Sequence, residues 1–339
     1  MKILVTGGLG FIGSHTVVAL QEKGYEVVII DNLSNSNLSV LDGITKITGR
    51  KPIFEQLDLR DKAALVDFFN RYSDIEGIIH FAASKAVGES LEKPLLYYEN
   101  NLTTLIYLMQ QMQEKAIRNF IFSSSCTVYG EPDSLPISEQ APIKPALSPY
   151  GNTKQIGEEI IRDTAKAYPQ FNSIALRYFN PIGAHPSAAI GELPLGVPQN
   201  LIPFVTQTAA GIRKQLSVFG DNYPTPDGTA IRDYIHVVDL AESHVAALEC
   251  LLDNRQKANF EVFNIGTGRG SSVMEIIKTF ETVNNLKLNY KIVDRREGDV
   301  TAVWADTGLA EKELGWKARL TMEDALRDAW QWQQKISSK

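Results

Sequence analysis

The chain has 339 residues, 44% of them hydrophobic and 22% charged, a composition that excludes disordered, collagen-like and fibrous proteins. At about 150 residues per domain there is room for two domains, with cores that need neither metals nor disulfides to fold. The net charge of −6 comes without any basic block, which argues against a nucleic-acid partner.

In chain order, residues 3–6, 26–30, 52–57, 77–82 and 119–123 read as strands, short β-branched runs bounded by Gly, Asp or Asn. Between them, residues 11–23, 61–72 and 92–115 carry apolar side chains at helical spacing. A helix over 149–167 and a strand over 173–177 continue the alternation. Such βαβ units, with right-handed crossovers, predict an α/β fold: a Rossmann-like, doubly wound parallel sheet with ligands at the carboxyl ends of its strands. From Asn180 the texture changes, as Pro181, Pro186, Pro194, Pro198, Pro203, Pro224 and Pro226 punctuate loops and short elements, the mark of irregular structure over a site. A domain border near Phe179 follows, with residues 1–179 in the first domain and 180–339 in a smaller mixed α/β domain. Residues 231–237, 239–252 and 260–265 read again as strand, helix, strand, so parts of 231–265 are expected to rejoin the first domain and leave the second discontinuous.

Thr6-Gly7-Gly8-Leu9-Gly10-Phe11-Ile12-Gly13 joins the first strand to the first helix. Gly7, Gly10 and Gly13 permit a tight turn, close approach of backbone amides to a pyrophosphate, and close helix–strand packing, with the phosphate at the positive helix end. A glycine triplet alone is equally an ordinary turn; its place in the first βα unit points to a dinucleotide. Asp31 ends the second strand, where a carboxylate accepts hydrogen bonds from ribose hydroxyls and repels a 2′-phosphate, which favours NAD over NADP.

Tyr150 and Lys154 lie one helical turn apart on one face. With 12 tyrosines in the chain, chance alone supplies such a pair, so context decides: the pair opens the helix after the fifth strand, and Ser123-Ser124-Ser125 ends that strand. A free tyrosine is a poor base near neutrality, but a neighbouring ammonium and a positive nicotinamide both favour phenolate. Tyr150 can then take a proton from a sugar hydroxyl whose oxygen also bonds Ser125.

The glycine loop, the Ser/Tyr/Lys set and Phe81-Ala82-Ala83 resemble the extended short-chain dehydrogenase/reductases. More narrowly, Lys85-Ala86-Val87-Gly88-Glu89-Ser90, Arg177-Tyr178-Phe179-Asn180-Pro181-Ile182-Gly183-Ala184, Gly228-Thr229-Ala230-Ile231-Arg232-Asp233-Tyr234-Ile235-His236-Val237 and Arg295-Arg296-Glu297-Gly298-Asp299 are similar to the UDP-glucose 4-epimerase family over essentially the whole chain. The resemblance implies an isomerase of galactose metabolism. In it, tightly held NAD oxidises C4 of UDP-galactose or UDP-glucose, the keto sugar turns to present its other face, and the same hydride returns. It also implies that Phe11, Ile12, Asp31, Asn32, Asn35, Ser36, Asp58, Leu59, Phe81, Ala82, Ala83, Lys85, Asn100 and Phe179 line NAD. By the same likeness Asn180, Asn200, Leu201, Phe219, Arg232, Arg296 and Asp299 hold the UDP-sugar, arginine suiting a diphosphate through its planar fork. Some members carry a bulky Tyr where Val303 stands, so a smaller wall here leaves room for an N-acetyl group at the sugar 2-position.

Two rival readings remain. An NDP-sugar 4,6-dehydratase shares the fold and first oxidation, but by resemblance carries an Asp-Glu pair where Cys126-Thr127 stands here. A non-catalytic NAD-binding regulator has no need to keep Tyr150, Lys154 and Ser125 together. The five histidines show no metal-type spacing, and Cys126 reads as a small packing residue. The two cysteines, lying in separate segments, and the lack of a signal-like or membrane-spanning stretch point to the cytosol. The segment 95–112 is apolar on more than one face, through Leu95, Tyr98, Leu102, Leu105, Ile106 and Met109, which predicts a symmetric homodimer.

Overall fold

The computed structural model describes residues 1–296 and 299–338; Glu297 and Gly298 of the Arg-Arg-Glu-Gly-Asp run, and Lys339, lie outside the described residues. The first half alternates β1 (Lys2–Thr6), α1 (Phe11–Glu22), β2 (Glu26–Asp31), α2 (Ser39–Thr48), β3 (Ile53–Gln56), α3 (Lys62–Arg71), β4 (Ile75–His80), α4 (Val87–Glu92), α5 (Pro94–Glu114), β5 (Asn119–Ser125), α6 (Pro149–Ala167) and β6 (Asn172–Tyr178). The second half comprises β7 (Asn180–Ile182), α7 (Leu201–Ala209), β8 (Leu216–Phe219), β9 (Ile231–Arg232), β10 (Tyr234–His236), α8 (Val237–Leu252), β11 (Phe260–Ile265), β12 (Ser271–Ser272), α9 (Val273–Asn284), β13 (Tyr290–Val293), β14 (Ala302–Val303), α10 (Gly308–Leu314) and α11 (Met322–Ser337).

Seven strands form one parallel sheet in the order β11-β6-β5-β4-β1-β2-β3. Alternate residues of each strand serve opposite faces. Ile3, Val5, Val27, Ile29 and Ile79 meet Val17 and Val18 of α1 and Leu240 and Leu248 of α8 on one side. Leu4, Val28, Ile30, Ile78 and Phe120 meet Phe68 of α3, Leu105 and Leu108 of α5 and Ile161 of α6 on the other. Burial on both faces explains why these strands read as unbroken apolar runs. A separate core lies between α7, α9 and α11, through Val205, Ile276, Phe280, Leu326 and Ala329. The order reverses between β1 and β4, so the carboxyl ends of these strands open a crevice where Thr6 pairs in register with His80.

Three elements differ from the sequence reading. Residues 92–115 are not one helix: Lys93 caps α4, and Pro94 starts α5 at a position where its missing N–H costs nothing. The helix α2 follows the polar run 32–37 without a side-chain cap, so its start carries no local signal. Residues 231–237 form two short strands in different sheets rather than one. Between them Asp233 turns inward, its carboxylate accepting from Thr267 N (2.8 Å), Thr267 Oγ1 (2.7 Å), Gly268 N (3.1 Å) and Ala305 N (3.2 Å).

Candidate active site

The glycine loop sits under the crevice. Gly7 adopts φ +67°, and a Cβ on Gly13 would stand 2.3 Å from the Gly7 carbonyl oxygen, so both positions demand glycine for different reasons. No side chain caps α1, which begins after Gly10; the amides of its first turn face the crevice with the positive end of the helix dipole. Asp31 is buried and fixed: its carboxylate accepts from Leu9 N (3.1 Å), Leu33 N (3.0 Å) and Ser36 Oγ (2.7 Å). Asn32 donates to Asp58 (3.2 Å), and Arg60 grips Asp58 with two bonds, which hold its carboxyl down at about 2. Asn35 is exposed on the same loop. The Leu59 side chain belongs to the core, leaving only its backbone to face a ligand. Phe81, Ala82 and Ala83 leave β4 half-buried, the Phe81 ring lying 4.7 Å from that of His244. Asn100 donates to Ser84 Oγ (3.1 Å).

The catalytic candidates meet at the end of β5. Ser148 caps α6 by accepting from Gly151 N (3.1 Å), with Pro149 in the first turn. Tyr150 and Lys154 therefore begin the helix on its sheet-facing side, both buried. Ser125 Oγ accepts from Thr127 N (3.2 Å) and Thr127 Oγ1 (3.0 Å) and lies close enough to the Tyr150 hydroxyl to favour its ionised form. The Lys154 ammonium donates to the Ser123 carbonyl (2.6 Å) and stands 5.8 Å from the centre of the Tyr150 ring. Burial dominates both titrations, pushing Tyr150 up to about 12 and Lys154 down to about 7. For Tyr150 the desolvation of the buried phenol is opposed by its contact with Ser125. Burial also raises the Cys126 thiol to about 12, and the residue packs against a small cluster with Val128, Tyr129, Phe179 and Val303.

The third group comes from the second half. Arg232 donates to Asp299 (2.8 Å) and pairs in register with Val303 across β9 and β14. The Arg296 guanidinium lies 3.8 Å from the centre of the Phe219 ring at the end of β8. Asn180 opens β7, its amide donating to the Asp233 carbonyl (3.0 Å). Asn200 precedes α7, whose first residue is Leu201, and donates to Glu192 (2.6 Å). Lys85 stands 3.6 Å from that same Glu192.

A family model described as GDP-mannose 4,6 dehydratase matches residues 4–329. A UDP-glucose 4-epimerase of Bacillus subtilis is 50% identical over 333 residues, covering 98% of this chain and 97% of its own. The chain belongs to the UDP-glucose 4-epimerase family. A crystal structure of the Stenotrophomonas maltophila UDP-glucose 4-epimerase with bound NAD and formylated UDP-arabinopyranose superposes with a TM-score of 0.96 at 46% identity, covering 100% of this chain and 99% of that one. The UDP-Glc/GlcNAc 4-epimerase of Campylobacter jejuni superposes with a TM-score of 0.84 at 35% identity, over 98% and 99%.

Within this epimerase-family chain, several site-adjacent residues escaped the sequence reading. Glu192 stands between Lys85 and Asn200. Tyr223 stacks under Arg295, whose guanidinium lies 3.9 Å from the ring centre. Glu158 and Arg177 form a buried ion pair behind Ser124. Glu158 alone carried a signal, one turn beyond Lys154 on the same helix face.

Proposed function

We propose that the protein is an isomerase that interconverts UDP-galactose and UDP-glucose, with NAD as its cofactor. The observation that carries this reading is the convergence of Ser125, Tyr150 and Lys154 beside the glycine loop, in a chain half identical to a UDP-glucose 4-epimerase. The cradle fits a dinucleotide: α1 begins without a side-chain cap, and Gly13 leaves no room for a Cβ between helix and loop. The amides of Phe11 and Ile12 would meet the pyrophosphate and Asp31 the ribose, its fixed negative charge repelling a 2′-phosphate. When bound, NAD supplies the hydride acceptor for sugar C4 and a positive charge beside Tyr150. Tyr150 takes the proton of the C4 hydroxyl and gives it back on the other face of the turned sugar. Ser125 hydrogen-bonds the same oxygen, and Lys154 balances the phenolate. Arg232 and Arg296 suit the diphosphate, and with Asp299, Phe219, Asn180, Asn200 and Leu201 they would hold the UDP-sugar.

Incubation with UDP-galactose tests the reading. UDP-glucose is the expected product, with turnover nearly abolished in Tyr150→Phe; a 4-keto-6-deoxy sugar would instead indicate a dehydratase, and no product a non-catalytic binder. Cys126 and Thr127 argue against elimination, since neither the raised thiol nor a hydroxyl serves as the acid and base it needs. Val303 is small and packs in a cluster with Phe179, which favours N-acetylated UDP-sugars as additional substrates; Val303→Tyr should abolish their turnover and spare UDP-galactose. The exposed face of α5, with Leu95 80% accessible and Ile106 38%, favours a homodimer, which a monomeric mass at micromolar concentration would refute. No helix among the described residues is long and apolar enough to cross a membrane, and the free thiols of Cys126 and Cys250 suit the cytosol.

A further inference from the structure

Lys154 is an ammonium with 4% of its surface exposed, and a buried charge persists only where something compensates it. Its direct bonds go to the carbonyl and hydroxyl of Ser123, which are neutral. The groups that face it are Tyr150 and Glu158 from α6, His80 from β4 and, through Ser123, Tyr178 from β6. Burial keeps His80 uncharged, its ring held down at about 3. Glu158, one turn along α6 from Lys154, is therefore the acidic side chain whose attraction opposes the desolvation of the ammonium, and the Arg177 guanidinium paired with it is the one cation beside that carboxylate among the described residues.

Glu158 cannot swing away. Its Oε1 accepts from Ser124 Oγ (2.6 Å) and Arg177 Nε (2.8 Å), and its Oε2 accepts from Arg177 Nη2 (2.5 Å). Arg177, opposite Ser124 in the β5–β6 register, also donates to Tyr129 OH (3.0 Å), which donates to Asn264 (2.7 Å). One rigid carboxylate thus bonds the residue before Ser125 and stands one turn behind Lys154.

We propose that Glu158 is a positioning residue for the epimerisation: clamped by Arg177, it keeps Lys154 charged and fixes the Ser124–Ser125 strand end against Tyr150. The inference rests on the proposed epimerase activity for its purpose, though its physical claim can be read without turnover. In NAD-saturated protein carrying carbon-13 at lysine Cε, the Lys154 signal is the one missing from Lys154→Met, and its pH titration reports the ammonium directly. In Glu158→Gln the proton affinity of Lys154 should fall about tenfold, its midpoint dropping by about one pH unit. The alkaline limb of kcat/KM for UDP-galactose should fall with it, while Glu158→Asp, which retains the charge, should keep both near wild type. A residue that only supports the fold would lower turnover at every pH and leave the midpoint in place, and an unmoved midpoint overturns the proposal. If Glu158→Gln fails to fold because Arg177 is left unpaired, the double variant Glu158→Gln/Arg177→Met is compared with Arg177→Met alone, which isolates the loss of the carboxylate; against that background the midpoint should fall by about one pH unit, and no fall overturns the proposal. Wild-type protein that does not convert UDP-galactose overturns the epimerase reading and leaves the titration to decide the role of Glu158.

Discussion

Replacing Lys154 by methionine should remove the chemistry and strengthen the fold, in a pH-dependent way that burial sets. Unfolded, this lysine titrates near 10.5; folded, it titrates near 7. Between those values the unfolded chain holds the additional proton, so the wild-type stability contribution rises with pH across that window, and below pH 7 the full cost applies. At about 1.4 kcal/mol per pH unit, the drop corresponds to roughly 5 kcal/mol. Methionine fills a similar volume but leaves Ser123 O and Oγ without their donor, which costs about 1–3 kcal/mol. The net expectation is a gain of about 2–4 kcal/mol at pH 6 that vanishes by pH 10. Urea denaturation of both proteins at the two pH values, followed by circular dichroism, measures it. The difference between the two pH values is the quantity that matters, because nucleotide retention shifts either protein's absolute stability. A variant equally stabilised or destabilised at pH 6 and pH 10 would show that the buried ammonium is not strained.

Gly13→Ala drives a Cβ to 2.3 Å from Gly7 O and 2.9 Å from Gly8 Cα, and should cost about 2–3 kcal/mol together with NAD binding. Gly24→Ala, whose φ is +89° in open space, should cost about 1 kcal/mol and leave binding intact; equal nucleotide affinity in the two variants would refute the packing role of Gly13. Arg177→Met leaves the Glu158 carboxylate buried and unpaired, for an expected loss of about 3–5 kcal/mol, and adding Glu158→Leu should recover most of it, as denaturation midpoints will report. Asp233→Asn turns an amide toward the donors of Thr267, Gly268 and Ala305, costing about 1–3 kcal/mol and raising KM for the UDP-sugar through the adjoining Arg232; unchanged stability and KM would show that the carboxylate is dispensable.

The first half was legible because its strands are buried on both faces and its helices on one, so Ile3–Leu4–Val5 and the stripes of α1 and α3 announce themselves. Tyr150, Lys154 and Ser125 were legible for the same reason: each stands at an element boundary that the apolar pattern locates. What escaped depends on contacts between distant segments. Asp233 breaks an apparent strand because its acceptors serve donors more than thirty residues away, and nothing local distinguishes it from a surface aspartate. Glu192 gains its place between Lys85 and Asn200 only after the chain has folded back. The burial of Tyr150 was also hidden, since spacing shows a nearby ammonium but not how deep the phenol lies.

The edge strand β11 pairs with β6 along its whole length, yet 81 residues lie between Tyr178 and Phe260. At about 5–20 residues per second, a ribosome needs about 4–16 s to supply them. During that interval β6 presents an unsatisfied edge, and the sheet face that α8 later covers, with Ile3, Val5 and Ile121, stands open to water. A nascent chain arrested anywhere in this stretch is a ready partner for another like it, and one polypeptide's 237–265 could complete its neighbour's sheet. Production of this protein is therefore sensitive to translation speed and chaperone supply between codons 179 and 265, and a fragment ending near residue 179 should aggregate rather than bind nucleotide.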